Sequence, residues 1–250
     1  MKIKTSIIIP NWNTRELLEN CINSIIKHTK YYEIIIIDNG STDSSVEYLQ
    51  SLNIANLKVI FNKTNLGFSK ANNQGAELAV GKYLCFMNSD IIVGANWLDE
   101  MYKTFANISN CGAVGPLANP DGFCVIQNKK IKYPQHKNQF DTDVCANHLI
   151  GFCILLPKQL FEEINGWAED FALGNFEDTF LSVKIRYLAN KKLAISVKAD
   201  VLHLQPSATF IKNNVNYQDT YNKNKEIFLR KIQKLNINLT EADKKSFGLY

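Results

Sequence analysis

Two runs of β-branched residues constrain this chain more than anything else in it. Thr5-Ser-Ile-Ile-Ile-Pro10 and Glu33-Ile-Ile-Ile-Ile-Asp38 carry unbroken isoleucines between polar or turn-forming ends. A strand with one wet face alternates apolar and polar residues, so a continuous apolar run reads as a strand buried on both faces. Between the two runs, Leu17, Leu18, Cys21, Ile22, Ile25 and Ile26 recur at helical spacing and predict an amphipathic helix. Strand, helix, strand is a βαβ unit. The alternation continues with a helix over about Ser44 to Leu52, a strand at Leu57 to Phe61, a helix over about Ser69 to Ala79 and a strand at Lys82 to Met87. Such a chain is expected to build an α/β fold on a parallel, doubly wound sheet.

After Asp90 the regularity breaks. The pattern predicts a helix near Asn96 to Ala106, a strand at Ala113 to Pro116, a mobile loop or hairpin over the polar stretch Asn128 to Asp143, and an apolar strand at Asn147 to Leu156. Helices at about Lys158 to Glu163 and Glu177 to Leu188, a strand at Leu193 to Val197 and a lysine-rich helix from Asn216 to Leu235 complete the reading. No internal repeat or Pro-, Gly- or Ser-rich linker divides the chain. Residues 1–211 are expected to form one domain, with a nucleotide-binding half to about 110 and an acceptor-side half beyond it, followed by a basic helical tail at 212–250.

Charge and cysteine usage remove several classes of function. From Lys212 onward eight Lys and Arg stand against four Asp and Glu, which leaves the rest of the chain neutral although the net charge is +4. A neutral body is a poor nucleic-acid binder, so no nucleic-acid partner is expected. The tail is read as a solvated helix face, with contact to an acidic membrane surface or pairing with a second copy as alternatives. Six cysteines without a C-x-x-C pair speak against zinc knuckles and thioredoxin-like chemistry and suggest a reducing, cytoplasmic setting. The longest apolar stretch, Leu149 to Leu156, falls far short of the roughly 20 residues of a membrane helix. Neither export nor insertion is expected.

In an open parallel sheet, ligands sit outside the carboxyl ends of the strands. Three polar clusters fall on that rim: Pro10-Asn-Trp-Asn13, Asp38-Asn-Gly-Ser-Thr-Asp43 and Asn88-Ser-Asp90. Neither G-x-G-x-x-G nor a P-loop follows the first strand, which excludes the two common glycine-rich phosphate cradles at that position. Carboxylates and amides suit a nucleotide held through its base and ribose, with its diphosphate bound through a divalent cation such as Mn²⁺ or Mg²⁺. Asp90 is the metal candidate. Each cluster also has a plainer reading. The Asp38 to Asp43 and Asn88 to Asp90 segments are ordinary turn compositions, Asn175 to Asp178 resembles a helix cap, and His203 between two leucines suits an interior histidine. Trp167 reads as a core aromatic or, because polar and glycine residues surround it, as a wall of the site.

Taken together and in order, Ser6-Ile-Ile-Ile-Pro-Asn-Trp-Asn13, Ile37-Asp-Asn-Gly-Ser-Thr-Asp43, Asn65-Leu-Gly-Phe-Ser-Lys-Ala-Asn-Asn-Gln-Gly75, Asn88-Ser-Asp90, Asn165-Gly-Trp167 and Phe176-Glu-Asp178 resemble family 2 glycosyltransferases of the GT-A fold. The likeness runs from Ser6 to about Ser207 and is strongest to bacterial members that build surface polysaccharides, rhamnosyltransferase-like enzymes among them. It implies a Rossmann-like, mostly parallel sheet and an inverting transfer from a nucleoside-diphosphate sugar of the UDP or dTDP type. The acceptor is expected to be a carbohydrate, lipid-linked or protein-linked hydroxyl, and the enzyme to be cytoplasmic or peripheral at the inner face of the membrane.

By the same resemblance Asp38 meets the base, with Pro10, Asn11 and Asn13 lining its pocket. Asn88-Ser89-Asp90 stands at the D-x-D motif, an amide replacing the first carboxylate; Asn88 lies near the ribose and Asp90 on the metal. Gly67, Lys70, Asn72 and Trp167 are assigned to the donor side. Asp178 is matched to the catalytic base beside Glu177, and His203 to a histidine that completes the metal or diphosphate site. Two other functions compete: a sugar nucleotidyltransferase, which calls for a glycine-rich, arginine-bearing loop after the first strand that Pro10-Asn-Trp-Asn13 does not supply, and a catalytically silent nucleotide-sugar-binding module.

Overall fold

The isoleucine runs form paired parallel strands, β1 (Thr5–Asn11) and β2 (Tyr32–Asp38), in the register Ile7 to Ile34 through Asn11 to Asp38. Successive side chains of a strand point to opposite faces. Ile7, Ile9, Ile34 and Ile36 therefore enter one core layer, against Leu18, Cys21, Ile22 and Ile25 of α1 (Arg15–His28). Ile8, Ile35 and Ile37 enter the other, with Ala71 and Ala76 of α3 (Phe68–Leu78). All seven isoleucines are fully buried, at about 1.5–3 kcal/mol each, which outweighs any local preference of these segments. Gly75 lets α3 approach this closely: a Cβ there would stand 2.4 Å from Ile8 Cγ2.

The structure is a computed structural model that describes residues 3–117, 125–127, 130–132, 142–171, 173–204 and 216–249. With α2 (Ser45–Ser51), β3 (Leu57–Phe61) and β4 (Tyr83–Met87) it gives an eight-stranded sheet in the order β3-β2-β1-β4-β10-β6-β11-β9. The first four strands in that order are parallel, as the alternation predicts. Beyond β4 the sheet is mixed. β10 (Cys153–Pro157) runs antiparallel to β4 and to β6 (Cys111–Pro116), β11 (Lys192–Ser196) is parallel to β6, and β9 (Val144–Ala146) closes the edge antiparallel to β11. A run buried on both faces looks alike in either direction, so the inversion at β10 left no mark in its composition.

The strand expected at Asn147 to Leu156 begins only at Cys153. The preceding residues bond sideways to a helix instead: the Leu149 N–H donates to Ser182 Oγ and the Gly151 N–H to Asp178 Oδ2. Two further strand pairs are present. β5 (Ile91–Val93) pairs antiparallel with β12 (Val201–His203), and β7 (Val125–Gln127) with β8 (Lys130–Lys132). The hairpin thus takes in part of the polar stretch Asn128 to Asp143; its residues 128–129 and 133–141 lie outside the described residues, as do 118–124 and 205–215. α4 (Trp97–Asn107) and α5 (Lys158–Glu163) stand where expected. The helix expected from Glu177 to Leu188 is α-helical through Val183 (α6) and then widens to a π turn at Lys184–Leu188.

The C-terminal helices α7 (Tyr217–Lys234) and α8 (Glu241–Ser246) lie against the body. Phe228, Ile232 and Phe247 share a third core with Phe171, Phe176, Phe180 and Val183, and Arg186 pairs with the buried Asp243. The tail buries one face, while Lys223, Arg230, Lys234 and Lys245 remain exposed.

Trp167 belongs to the core, not to a wall of the site. It is 2% exposed and meets Phe68 and Phe86 edge to face, with centroids 5.3 and 5.2 Å away. Asn73 fixes its backbone, accepting from the Trp167 N–H at 2.9 Å and donating to its carbonyl at 3.0 Å. Lys184 Nζ, which donates to the carbonyls of Ile164, Asn165 and Gly166, holds the turn with Asn73 while the indole itself is buried. Trp167→Ala should cost about 3–5 kcal/mol in urea unfolding, the range for truncating a buried large aromatic.

Candidate active site

The carboxyl ends of β1, β2 and β4 are joined by a buried chain of hydrogen bonds. Ser89 and Thr14 share a hydroxyl contact of 2.8 Å, the Thr14 hydroxyl donates to Asn11 Oδ1 at 2.7 Å, and Asn11 Nδ2 donates to Asp38 Oδ1 at 2.8 Å. The other Asp38 oxygen accepts from the Ser41 N–H at 3.0 Å. Asp38 is 1% exposed, so it lies behind the rim and orients Asn11, while its neighbour Asn39 opens onto the cleft. Asp38, expected to meet the base, does not itself line the cavity: its oxygens accept from Asn11 and Ser41 behind the rim.

A cavity of about 400 Å³ opens above this rim. Pro10, Asn11, Asn88, Ser89, Asp90, Glu177, Asp178 and His203 all line it. Besides Asp38 and Trp167, four expected donor residues stand elsewhere. Asn13, with φ +55, accepts from the Thr42 and Asp43 N–H groups and so closes the turn after β2. Gly67 precedes α3 at φ +87, where a left-handed backbone favours glycine, and its carbonyl accepts from Asn39 Nδ2 at 3.3 Å. Asn72 is fully buried on the sheet side of α3 and donates to the Phe68 carbonyl, whereas Lys70 is exposed on the helix's outer side. Spacing along α3 sends these side chains around the helix, so a shared sequence motif does not give them a shared direction.

Asp90 and His203 meet because β5 and β12 pair. The register sets His203 opposite Ile91, and the Leu204 N–H donates to the Asp90 carbonyl at 2.9 Å. Asp90 Oδ1 and His203 Nε2 are 3.2 Å apart, yet misaligned for a hydrogen bond, and both atoms are buried without a hydrogen-bond partner among the described residues. The imidazole is held by stacking on Phe152, at 4.9 Å and 16°. An orphaned carboxylate oxygen beside an orphaned ring nitrogen is a donor set that fits a divalent cation. Among the described residues no cluster of three or more His, Cys, Asp or Glu side chains supplies a complete cage.

Glu177 and Asp178 open α6 across the cavity. Negative side chains are favoured there by the helix dipole. Asp178 Oδ2 accepts from the Gly151 N–H at 2.8 Å and Oδ1 from the Thr179 N–H at 2.6 Å, which fixes the plane of the carboxylate. Burial, followed by the charge of Asp178, pushes Glu177 well above the usual carboxylate range. The approach to this pair is strained: Asn175 and Phe176 have φ of +77 and +68, a region that a bulky side chain enters at a cost of about 1–3 kcal/mol. Asn224 of α7, fully buried, donates to the carbonyls of Gly174 at 2.6 Å and Asn175 at 3.2 Å and so holds that turn in place.

Several residues on the cavity wall escaped the sequence reading: Asn39, Asn65, His148, Asn175, Tyr217 and Tyr221. Asn39 and Asn65 lie inside motifs already singled out, so the motif was visible and only the side-chain direction was not. His148 sits in a segment read as strand, and the tyrosines in one read as a separate tail.

The family model described as glycosyl transferase family 2 matches residues 6–164. That is more than half of the chain, and the chain belongs to this family. A poly(ribitol-phosphate) beta-glucosyltransferase of Bacillus spizizenii is 35% identical over 213 residues, 81% of this chain and 32% of that protein. Glycosyltransferase GlyG of Streptococcus pneumoniae is 33% identical over 101 residues, 39% of this chain and 34% of its own. The chain therefore spans about a third of the length of these two relatives. Among solved structures, GalNAc-T7 with UDP, GalNAc and Mn²⁺ superposes with a TM-score of 0.63 at 21% identity, over 81% of this chain and 44% of the other. S. aureus TarS 1-349 in complex with UDP-GlcNAc gives 0.59 at 20% identity, over 82% and 59%. At such identities the likeness is one of fold, the GT-A fold.

The raised Glu177 has a consequence for stability. A carboxyl whose folded pKa lies above its ordinary value destabilises the fold as pH rises through the interval between the two. Glu177→Gln should melt at the same temperature as the parent protein near pH 4, below that interval, and at a higher temperature at pH 8, by scanning calorimetry.

Proposed function

We propose that this chain transfers a sugar, with inversion, from a nucleoside-diphosphate sugar of the UDP or dTDP type to a hydroxyl of a carbohydrate, lipid-linked or protein-linked acceptor. The setting is the synthesis of bacterial surface polysaccharide or glycoconjugate, in the cytoplasm or at the inner face of the membrane. One observation carries the reading: the fixed carboxylate of Asp178 opens into the same cavity as the orphaned Asp90 and His203 atoms and the amide rim of Asn11, Asn39 and Asn88. The named ligands of the neighbours, UDP with Mn²⁺ in GalNAc-T7 and UDP-GlcNAc in TarS, support a nucleotide-sugar donor. No described helix is long and apolar enough to cross a membrane.

The chemistry follows from the placement. An acceptor hydroxyl is a poor nucleophile until a base within about 3 Å takes its proton, and such a base is worth roughly 10²–10⁴ in rate. Asp178 takes that proton as the acceptor oxygen bonds to the anomeric carbon; the bond from that carbon to the diphosphate oxygen breaks, and its electron pair leaves with the nucleoside diphosphate. The Gly151 and Thr179 N–H groups occupy one lone pair on each Asp178 oxygen, leaving others for the incoming proton. A single displacement inverts the centre and requires no covalent intermediate. Asp90 and His203 would hold Mn²⁺ or Mg²⁺, which when bound neutralises charge gathering on the diphosphate. Asn88, an amide where the motif has its first carboxylate, lowers the negative charge facing that diphosphate.

Release of nucleoside diphosphate from a panel of sugar nucleotides, with Mn²⁺ and an acceptor mixture, tests the reading; release of pyrophosphate would identify a nucleotidyltransferase, and binding without turnover a silent module. Asp178→Asn should retain UDP affinity within about twofold and lose roughly 10²–10⁴ of transfer rate, by calorimetry and steady-state kinetics. Asp90→Ala should weaken the Mn²⁺-dependent part of UDP binding at least tenfold and leave metal-free UDP binding unaltered in the same titration.

A further inference from the structure

Beside Asp178 the cavity has a wall that the nucleotide does not need. Pro10, Asn11, Asn39, Asn88, Asp90 and His203 lie on the strand-end side, which suffices for a base, a ribose and a diphosphate. The remaining wall comes from the loop before β10 and from the C-terminal helices: His148, Ile150, Tyr217, Tyr221 and Phe247. We propose that Tyr217 and Tyr221, with His148 facing them, form the acceptor subsite, and that it takes a pyranose ring of a carbohydrate acceptor. The proposal rests on the glycosyl-transfer reading above and adds to it where the acceptor sits and what chemistry receives it.

Four observations carry this. First, Tyr217, Tyr221, Asn224 and Phe228 follow one another at intervals of four, three and four residues, so they share one face of α7. Phe228 is fully buried in the third core and Asn224 grips the turn that leads into Glu177 and Asp178, so the two tyrosines are held at a fixed distance from the proposed base. Second, the aromatic rings are packed on one another. The Tyr217 and Tyr221 rings stack at 6.2 Å and 27°, and Tyr221 packs on Phe176 at 5.1 Å. Third, apolar surface is left open on this side of the cleft: Tyr217 is 46% and Ile150 49% exposed. Fourth, His148 is set in place, sharing a 2.8 Å hydrogen bond between Nδ1 and the Ser246 hydroxyl and resting edge-on against Phe247 at 5.7 Å.

The electrostatics agree with the geometry. The charge of Asp178 is felt by both His148 and Tyr217. Burial holds the imidazole below its usual range and raises the phenol above its own, so both are neutral hydrogen-bonding groups near pH 7. A pyranose offers C–H faces that pack on aromatic rings and hydroxyls that pair with neutral polar groups, and this wall presents both kinds of surface within reach of the base.

The test is ligand-observed NMR on the full chain loaded with UDP and Mn²⁺, titrated with methyl glycosides of glucose, galactose, mannose, rhamnose, N-acetylglucosamine and N-acetylgalactosamine. At least one glycoside should bind the loaded protein. Tyr217→Ala should weaken that binding at least tenfold, with UDP affinity unchanged within twofold and the circular dichroism melt unaltered, because Tyr217 is half exposed; Tyr217→Phe should restore most of the loss. Absence of binding by every glycoside to a protein that binds UDP normally would overturn the subsite and leave the donor reading standing. Undiminished glycoside binding in Tyr217→Ala and Tyr221→Ala would overturn it equally. A protein that binds neither UDP nor dTDP in the presence of Mn²⁺ would remove the donor reading, and this inference with it.

Discussion

The site depends on one buried line of hydrogen bonds, from Asp38 through Asn11 and Thr14 to Ser89. Each strand of a parallel sheet ends independently, and nothing in the ladder itself fixes how the residues beyond the last rung are aimed. The line ties the ends of β1, β2 and β4 together, and because its members are buried a single unmade bond would cost about 1–3 kcal/mol. Asp90 follows Ser89 directly, so its carboxylate inherits the position that this line imposes. The β5 and β12 pair then delivers His203 to the same point from a distant part of the chain.

The opposite wall is built on strain. Asn175 and Phe176 adopt left-handed backbone immediately before Glu177 and Asp178, a conformation that would relax if the turn were free. Two contacts from α7 prevent it: the side chain of Asn224 on the carbonyls of Gly174 and Asn175, and Phe228 and Tyr221 against the Phe176 ring. The helix that seems an appendage in the sequence is thus a structural part of the cleft. Its charge excess is spread over the solvent side, while its packing face is shaped to the turn that leads into α6.

The legible parts of this protein share a physical character. Local periodicity reports burial directly, so β1, β2, β3, β4 and their helices stand within a residue or two of where the pattern sets them. Buried runs carry no mark of direction, so β10 was found but its antiparallel sense was not, and the segment from Asn147 to Phe152 was counted as strand when its N–H groups were committed to α6. Trp167 and Asp38 show the same limit on the scale of one side chain. Neither lines the cleft: Trp167 packs into the aromatic core, and Asp38 makes the hydrogen bonds behind the rim.

What the sequence determined by itself is the chemistry at hand and its order along the chain: two-faced buried strands, polar clusters just past them, and an acidic pair opening a late helix, a combination that marks family 2 glycosyltransferases. Only the tertiary structure decided which of those groups face one another. Asp90 meets His203 through a strand pairing over more than a hundred residues, and His148, Tyr217 and Tyr221 join Asp178 through a core made by phenylalanines from both ends of the third cluster. Periodicity is a property of neighbours in sequence, whereas a cleft is made by the directions of side chains that meet only after the sheet has closed.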